Sequence, residues 1–234
     1  MKFSLCIPMY NEAAIIERTA KTLSSYMSEH FDDYEIIFSD DGSADDSAAL
    51  IEALSLPRVH VIRCSVNRGK GAAVREAMLA SRGDIVMFTD SDLAYGTKVI
   101  TRIAEFFEGH PEVGAVVGSR NVAEDGYEGY TFFRKLASKI YIKILCVIGG
   151  LKLSDSQCGC KAFRGDVARR IFSLCEVDGF AFDFEAILLG MRLGICFYEL
   201  PVKVINHRES KVHVFSDAFK MLKDLWKIKK KLQN

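Results

Sequence analysis

Asp84-Ile85-Val86-Met87-Phe88-Thr89-Asp90-Ser91-Asp92 is a short apolar run that stops on two acids. Its length and its polar boundaries predict a buried strand over Asp84–Thr89, with the acids in the turn that follows. Outward from it the same pattern repeats. Upstream, strand-like runs at Phe3–Pro8, Tyr34–Ser39 and Val59–Cys64 alternate with helical patterns at Glu12–Tyr26, Ala44–Leu54 and Lys70–Ser81. Downstream, a helix at Thr97–Glu108 leads to a strand at Val113–Val117. Alternation at these lengths predicts right-handed βαβ crossovers and an α/β fold, a mostly parallel central sheet flanked by helices.

The second half reads differently. Ala123–Gly129 is a polar loop, and Thr131–Gly149 is a helix closed by Gly149-Gly150. Ser154–Phe163 is irregular or strand-like, Val167–Leu174 and Phe184–Leu193 are helical, and Ile195–Val204 is strand-like. Phe215–Leu232 is a basic helix. With no internal repeat or Pro-rich linker, residues 1–234 read as one domain.

Composition narrows the function. The 234 residues are 49% apolar and 26% charged, enough to bury a core. Lys+Arg and Asp+Glu number 31 each, which excludes a generally basic nucleic-acid binder. The charge is unevenly spread: residues 1–60 hold 11 acids against 4 bases, and residues 201–234 hold 9 bases against 3 acids. One end is suited to a cation or polar ligand, the other to an anionic surface. The cysteines, 7 in number and mostly in apolar runs, fit a reduced compartment better than a disulfide framework. Cys158 and Cys160 are too close together for a Cys-x-x-Cys zinc arm, and no second arm follows. The N-terminus is not a signal peptide, and no stretch is apolar enough to span a bilayer. A cytoplasmic chain, soluble or surface-bound, is expected.

In parallel α/β sheets ligands bind beyond the carboxyl ends of the strands. The residues there are Tyr10-Asn11-Glu12, Asp40-Asp41-Gly42-Ser43, Asn67-Arg68-Gly69-Lys70-Gly71, Asp90-Ser91-Asp92 and Gly118-Ser119-Arg120. Carboxylates as close as Asp90 and Asp92 call for a cation, and a hard divalent ion shared with phosphates fits them. Asp92 could instead cap the next helix. Asp41 is placed to accept hydrogen bonds from a nucleoside, while Ser43 or Asp45 can cap the following helix. The glycines around Lys70 let a helix N-terminus face an anion. The stretch is neither a Walker A loop nor a dinucleotide fingerprint, and none follows the first strand, so a dehydrogenase lacks its signature.

Together, Pro8-x-Tyr10-Asn11-Glu12, Asp40-Asp41-Gly42-Ser43, Asn67-x-Gly69-x-Gly71 and Asp90-x-Asp92 resemble the family-2 glycosyltransferases with the GT-A nucleotide-sugar-binding fold. Ser154–Phe163 is similar to the Asp-x-Gln-Cys-Gly-Phe-Lys stretch of the dolichyl-phosphate β-glucosyltransferases. Phe180-Ala181-Phe182-Asp183-Phe184-Glu185 is similar to their aromatic-Ala-Phe-Asp-x-Glu. Gly118-Ser119-Arg120 and Arg134 recur in that group and in the mannose synthases. The match covers roughly residues 3–226. It departs in Asp90-Ser91-Asp92-Leu93-Ala94, which has the glucosyl type's Ala where mannose synthases carry Gln, and in Cys160, which replaces Phe. The eukaryotic members also carry an N-terminal membrane anchor, so a shorter, bacterial-type polyprenyl phosphate is the expected acceptor.

The resemblance implies a nucleotide-sugar-binding half over 1–120, an acceptor half over 121–214 and a basic amphipathic helix over 215–234. The donor would be a nucleoside diphosphate sugar, UDP-glucose above all, held by Pro8, Tyr10, Asn11, Glu12, Asp41, Lys70 and Asp90. Mg2+ or Mn2+ would sit on Asp92 with Asp90. Arg120, Arg134 and Lys211 would bind the acceptor's phosphate. Asp90, Asp92 and Asp155 would form the catalytic set. A phosphomonoester, with a second pKa of about 6, is already a nucleophile at pH 7 and needs no general base. Asp155 and Asp183 are bases for a hydroxyl acceptor, or else partners of Lys161 or Arg164 in buried pairs. His207 and His213, flanking Lys211, read as a solvated loop. Residues 134–149 and 215–232 each set lysines against an apolar face, Ile228 included in the second. That suits an anionic membrane surface, or equally a helix packed on the sheet. The competing functions are transfer to a glycan hydroxyl and a non-catalytic nucleotide-sugar-binding module. A nucleotidyltransferase would leave Asp155–Phe163 without a role.

Overall fold

The computed structural model describes residues 1–123, 153–206 and Ile228. Seven strands form one sheet: β1 (Phe3–Met9), β2 (Tyr34–Asp40), β3 (Val59–Arg63), β4 (Ile85–Thr89), β5 (Ala115–Ser119), β6 (Cys160–Arg164) and β7 (Phe197–Pro201). Among the described residues the helices are α1 (Ala13–His30), α2 (Ser47–Ala53), α3 (Lys70–Ala80), α4 (Lys98–Gly109), α5 (Gly165–Phe172) and α6 (Phe182–Arg192). Strands lie in the order β3-β2-β1-β4-β6-β5-β7. The first four are parallel, so the chain winds outward from β1 to β3 and then crosses back to β4. That reversal opens a crevice at the carboxyl ends of β1 and β4.

β1, β2, β4 and β5 are buried along their whole length, as their unbroken apolar character requires. One apolar cluster joins α1, α2 and α4 to one face of the sheet, and a second joins α3, α5 and α6 to the other. Within the described residues the predicted strands and helices appear, with ends shifted by a few residues. The sequence reading did not anticipate the direction of β6, which is antiparallel to both β4 and β5. The chain leaves β5 at the carboxyl edge and re-enters at that same edge, so no crossover is needed and the strand must run backwards. The turn before β6 therefore lies beside the end of β4.

Two expected helices, Thr131–Gly149 and almost all of Phe215–Leu232, lie outside the described residues. Ile228 is the exception: it is buried against Ala181, Phe184 and Ile187, so this position packs on α6. Among the described residues no helix is long and apolar enough to cross a membrane.

The opposite edge of the sheet is locked by one carboxylate. Glu35 accepts the Ser4 hydroxyl at 2.5 Å and the Arg82 N–H at 2.6 Å, with Lys2 Nζ 3.7 Å away. Burial alone would raise its pKa, but these hydrogen bonds and the Lys2 charge outweigh it and hold the carboxyl below the ordinary value. The ionised form therefore favours the fold. Its contribution is full above the unfolded glutamate's pKa and is lost as pH falls through the folded one. Glu35→Ala is expected to cost about 1–3 kcal/mol at pH 7 in urea unfolding, with the gap to wild type narrowing in acid. A gap constant with pH would contradict this.

Candidate active site

Hydrogen bonds lace the loops at the carboxyl edge together. Asn11 adopts a left-handed backbone, φ 53°, and its N–H donates to Ser43 Oγ at 2.8 Å. Its side-chain Oδ1 accepts the Ala44 N–H at 2.8 Å, and the Glu12 N–H donates to Ser47 Oγ. The loops after β1 and β2 are thereby one unit. Asp40 accepts the N–H and the hydroxyl of Ser43. Asp41, 2% exposed, reaches the next loop, accepting the N–H groups of Arg68 at 3.0 Å and Gly69 at 2.7 Å. Burial raises its pKa against the pull of those donors and of the Arg68 charge. Tyr10 stands exposed at the rim.

Lys70, the first residue of α3, places Nζ 2.5 Å from Asp90 Oδ1. Burial disfavours its ammonium, yet the combined charges of Asp90, Asp183 and Asp92 lift its pKa above that of an ordinary lysine. Behind it lies a second pair. Lys161, 0% exposed, has Nζ 2.5 Å from Asp183 Oδ1 and 2.6 Å from the Cys158 carbonyl. Burial raises the Asp183 pKa, with Lys161 and Lys70 opposing. Carboxylate and ammonium thus alternate from Asp90 inward to Lys161. Gly159, in the turn before β6, lies so close to Asp90 that a Cβ there would overlap Oδ2.

Asp92 sits at the kink after β4, where its Oδ1 accepts the Ala94 N–H at 3.0 Å. The helix-cap alternative for Asp92 fails, because α4 begins at Lys98 with Thr97 in the cap position. Asp90 and Asp92 offer hard oxygen donors, and no third His, Cys, Asp or Glu completes a protein-only cage among the described residues. This donor set fits Mg2+ or Mn2+, which take one or two carboxylates and fill the rest of the shell with phosphate oxygens and water.

Two further carboxylates are engaged by buried cations. Asp155, 0% exposed, receives Arg120 Nε at 2.7 Å and Nη2 at 2.9 Å, along with the Arg120 N–H. Of the two roles read for Asp155, the structure shows the buried pair, and its partner is Arg120 rather than Lys161 or Arg164. Asp183 is Lys161's partner, and Arg164 instead binds the carbonyls of Phe107, His110 and Val113. Arg134, Lys211, His207 and His213 lie outside the described residues. Sequence reasoning missed Glu199, which accepts the N–H groups of Ser154 and Asp155 and fixes the acidic turn. It also missed Gly159. Glu199 carries no local sequence signal, whereas Gly159 is the glycine of the Gln-Cys-Gly stretch, whose place against Asp90 only the fold reveals.

The model of the family described as Glycosyl transferase family 2 matches residues 4–172. The chain belongs to glycosyltransferase family 2. This glycosyltransferase is 32% identical to the dolichyl-phosphate β-glucosyltransferase of Dictyostelium discoideum, over 97% of its own length and 73% of the relative's. To the Homo sapiens enzyme of that name it is 28% identical, over 96% and 74%. Glucosyl-3-phosphoglycerate synthase from Mycobacterium tuberculosis, solved with Mn2+, UDP and glucosyl-3-phosphoglycerate, has the same fold. The TM-score is 0.71 at 20% identity, over 97% of this chain and 79% of that one. The glycosyltransferase thus has the expected GT-A architecture, with the antiparallel β6 lying between β4 and β5.

Proposed function

We propose that this glycosyltransferase moves glucose from UDP-glucose to a polyprenyl phosphate, inverting the anomeric centre. The supporting observation is that both carboxylates read as bases, Asp155 and Asp183, are committed to buried cations. That arrangement suits an acceptor that arrives already ionised.

In this reading the laced loops hold the nucleoside, with Pro8, Tyr10, Asn11 and Glu12 on one side and Asp41 on the other. Asp90 faces the ribose and sugar, Lys70 faces the diphosphate, and Asp92, with Asp90, holds Mg2+ or Mn2+. When bound, the ion offsets negative charge developing on the leaving diphosphate. Arg120, oriented by Asp155, receives the acceptor phosphate together with Arg134 and Lys211. A phosphate oxygen attacks the anomeric carbon from the face opposite the nucleotide. The bond to the diphosphate breaks, and UDP departs with the electron pair. Because the acceptor is a lipid, the basic segments 134–149 and 215–232 are proposed to rest on the anionic cytoplasmic face of a membrane.

UDP release from UDP-glucose tests the proposal. Release is expected only with a short polyprenyl phosphate and Mn2+ or Mg2+, abolished by EDTA and restored by added metal. Equal release with a glycan hydroxyl and no lipid would favour polysaccharide synthesis. Nucleotide binding without turnover would favour a non-catalytic module.

A further inference from the structure

The segment after β7 keeps the parallel ladder to β5 for one more bond, from the Val202 N–H to the Ser119 carbonyl, and then lies over the loop that carries Asp92. The Ala94 carbonyl accepts the N–H groups of Ile205 at 2.8 Å and Asn206 at 3.2 Å. Asn206 Nδ2 donates to the Leu93 carbonyl at 2.9 Å and approaches the Asp92 carbonyl at 3.4 Å. Ile205 Cδ1 lies 2.5 Å from where a Cβ on Gly96 would stand, and Gly96 itself has φ +68°, which favours glycine.

The loop beneath needs such support. Leu93, a bulky residue, is held in the left-handed region at φ 51°, a conformation that persists only when its surroundings over-determine it. This kink turns the chain so that the Asp92 carboxylate accepts the Ala94 N–H two residues on. One amide group thus reaches the two carbonyls flanking the kink, and the backbone beside it binds the third residue of the loop. No other role engages Asn206 in the described fold, and it lies over 110 residues from the loop it holds.

We propose that Asn206 is a positioning residue that holds the Asp92 loop in its ligand-binding shape. The inference rests on the reading of Asp92 as a metal ligand, and outer groups that orient a metal's ligands typically affect affinity by about 10–100-fold. Two measurements on the full-length protein separate the inference from that reading. By hydrogen exchange, Asn206→Ala is expected to speed exchange at Ala94 and Gly96 about tenfold, leaving β1 and β4 unchanged. Unaltered exchange in the loop would overturn the proposal whatever the metal does. By calorimetry in the presence of UDP, Asn206→Ala is expected to weaken Mn2+ binding about tenfold, while UDP affinity without metal stays within twofold of wild type. An equal loss of UDP affinity without metal would mark a general disruption and also overturn it. A wild-type protein indifferent to Mn2+ would sink the metal reading alone, and the exchange result would still decide the role of Asn206. Asn206→Gln, which keeps the amide donor, is expected to recover part of both effects, and an equal defect in Gln and Ala variants would count against the clamp.

Discussion

Asp155→Ala is expected to lower folding stability by about 3–5 kcal/mol, the usual cost of leaving one member of a buried ion pair alone. Arg120 is the reason. Arg120 is buried, and an arginine's ordinary pKa lies so far above neutrality that it keeps its proton even when the carboxylate is removed. For a chain of this length the loss corresponds to a fall in Tm of about 10 °C. Replacing both partners with apolar residues, Arg120→Met with Asp155→Leu, is expected to restore most of the stability and none of the transfer. A single variant as stable as wild type would show that the pair is not buried in solution.

The largest effect on chemistry is expected at Asp92. Asp92→Asn keeps the size of the side chain and an oxygen for the Ala94 N–H, but removes the negative charge. If Asp92 holds the divalent ion, turnover of UDP-glucose is expected to fall about a hundredfold or more, since the ion supplies several kcal/mol of charge stabilisation at the leaving group. UDP binding without metal is expected to persist, because Asn11, Asp41 and the loops they tie are untouched. Full turnover of Asp92→Asn with Mn2+ would remove Asp92 from the metal site.

The parallel half of the fold was legible because its strands are short β-type runs, those of β1, β2 and β4 buried throughout, each followed by a helix of crossover length. Its edge residues followed, since strand direction alone places Asn11, Asp41, Lys70 and Asp90 at one end of the sheet. β6 was not legible. Its five residues suit either direction, and only the position of its preceding turn decides between them. The pairing of Asp155 with Arg120 spans 35 residues and that of Asp183 with Lys161 spans 22, so no local pattern announces which cation answers which acid. The two fates of Asp92, cap or kink, differ by where α4 begins, and that start is set by packing beyond the acidic turn. Ile228 shows the same limit: an apolar helical position does not say whether protein or lipid will cover it.

The reversal of β6 has an evolutionary corollary. Because the chain departs from β5 and returns to β6 at one edge, their connection does not have to cross the sheet. Its length can therefore change without re-threading the strands on either side. On the proposed division of the chain, acceptor preference would diversify by grafting there, with Arg120 and Asp155 as the two stitches that close the graft.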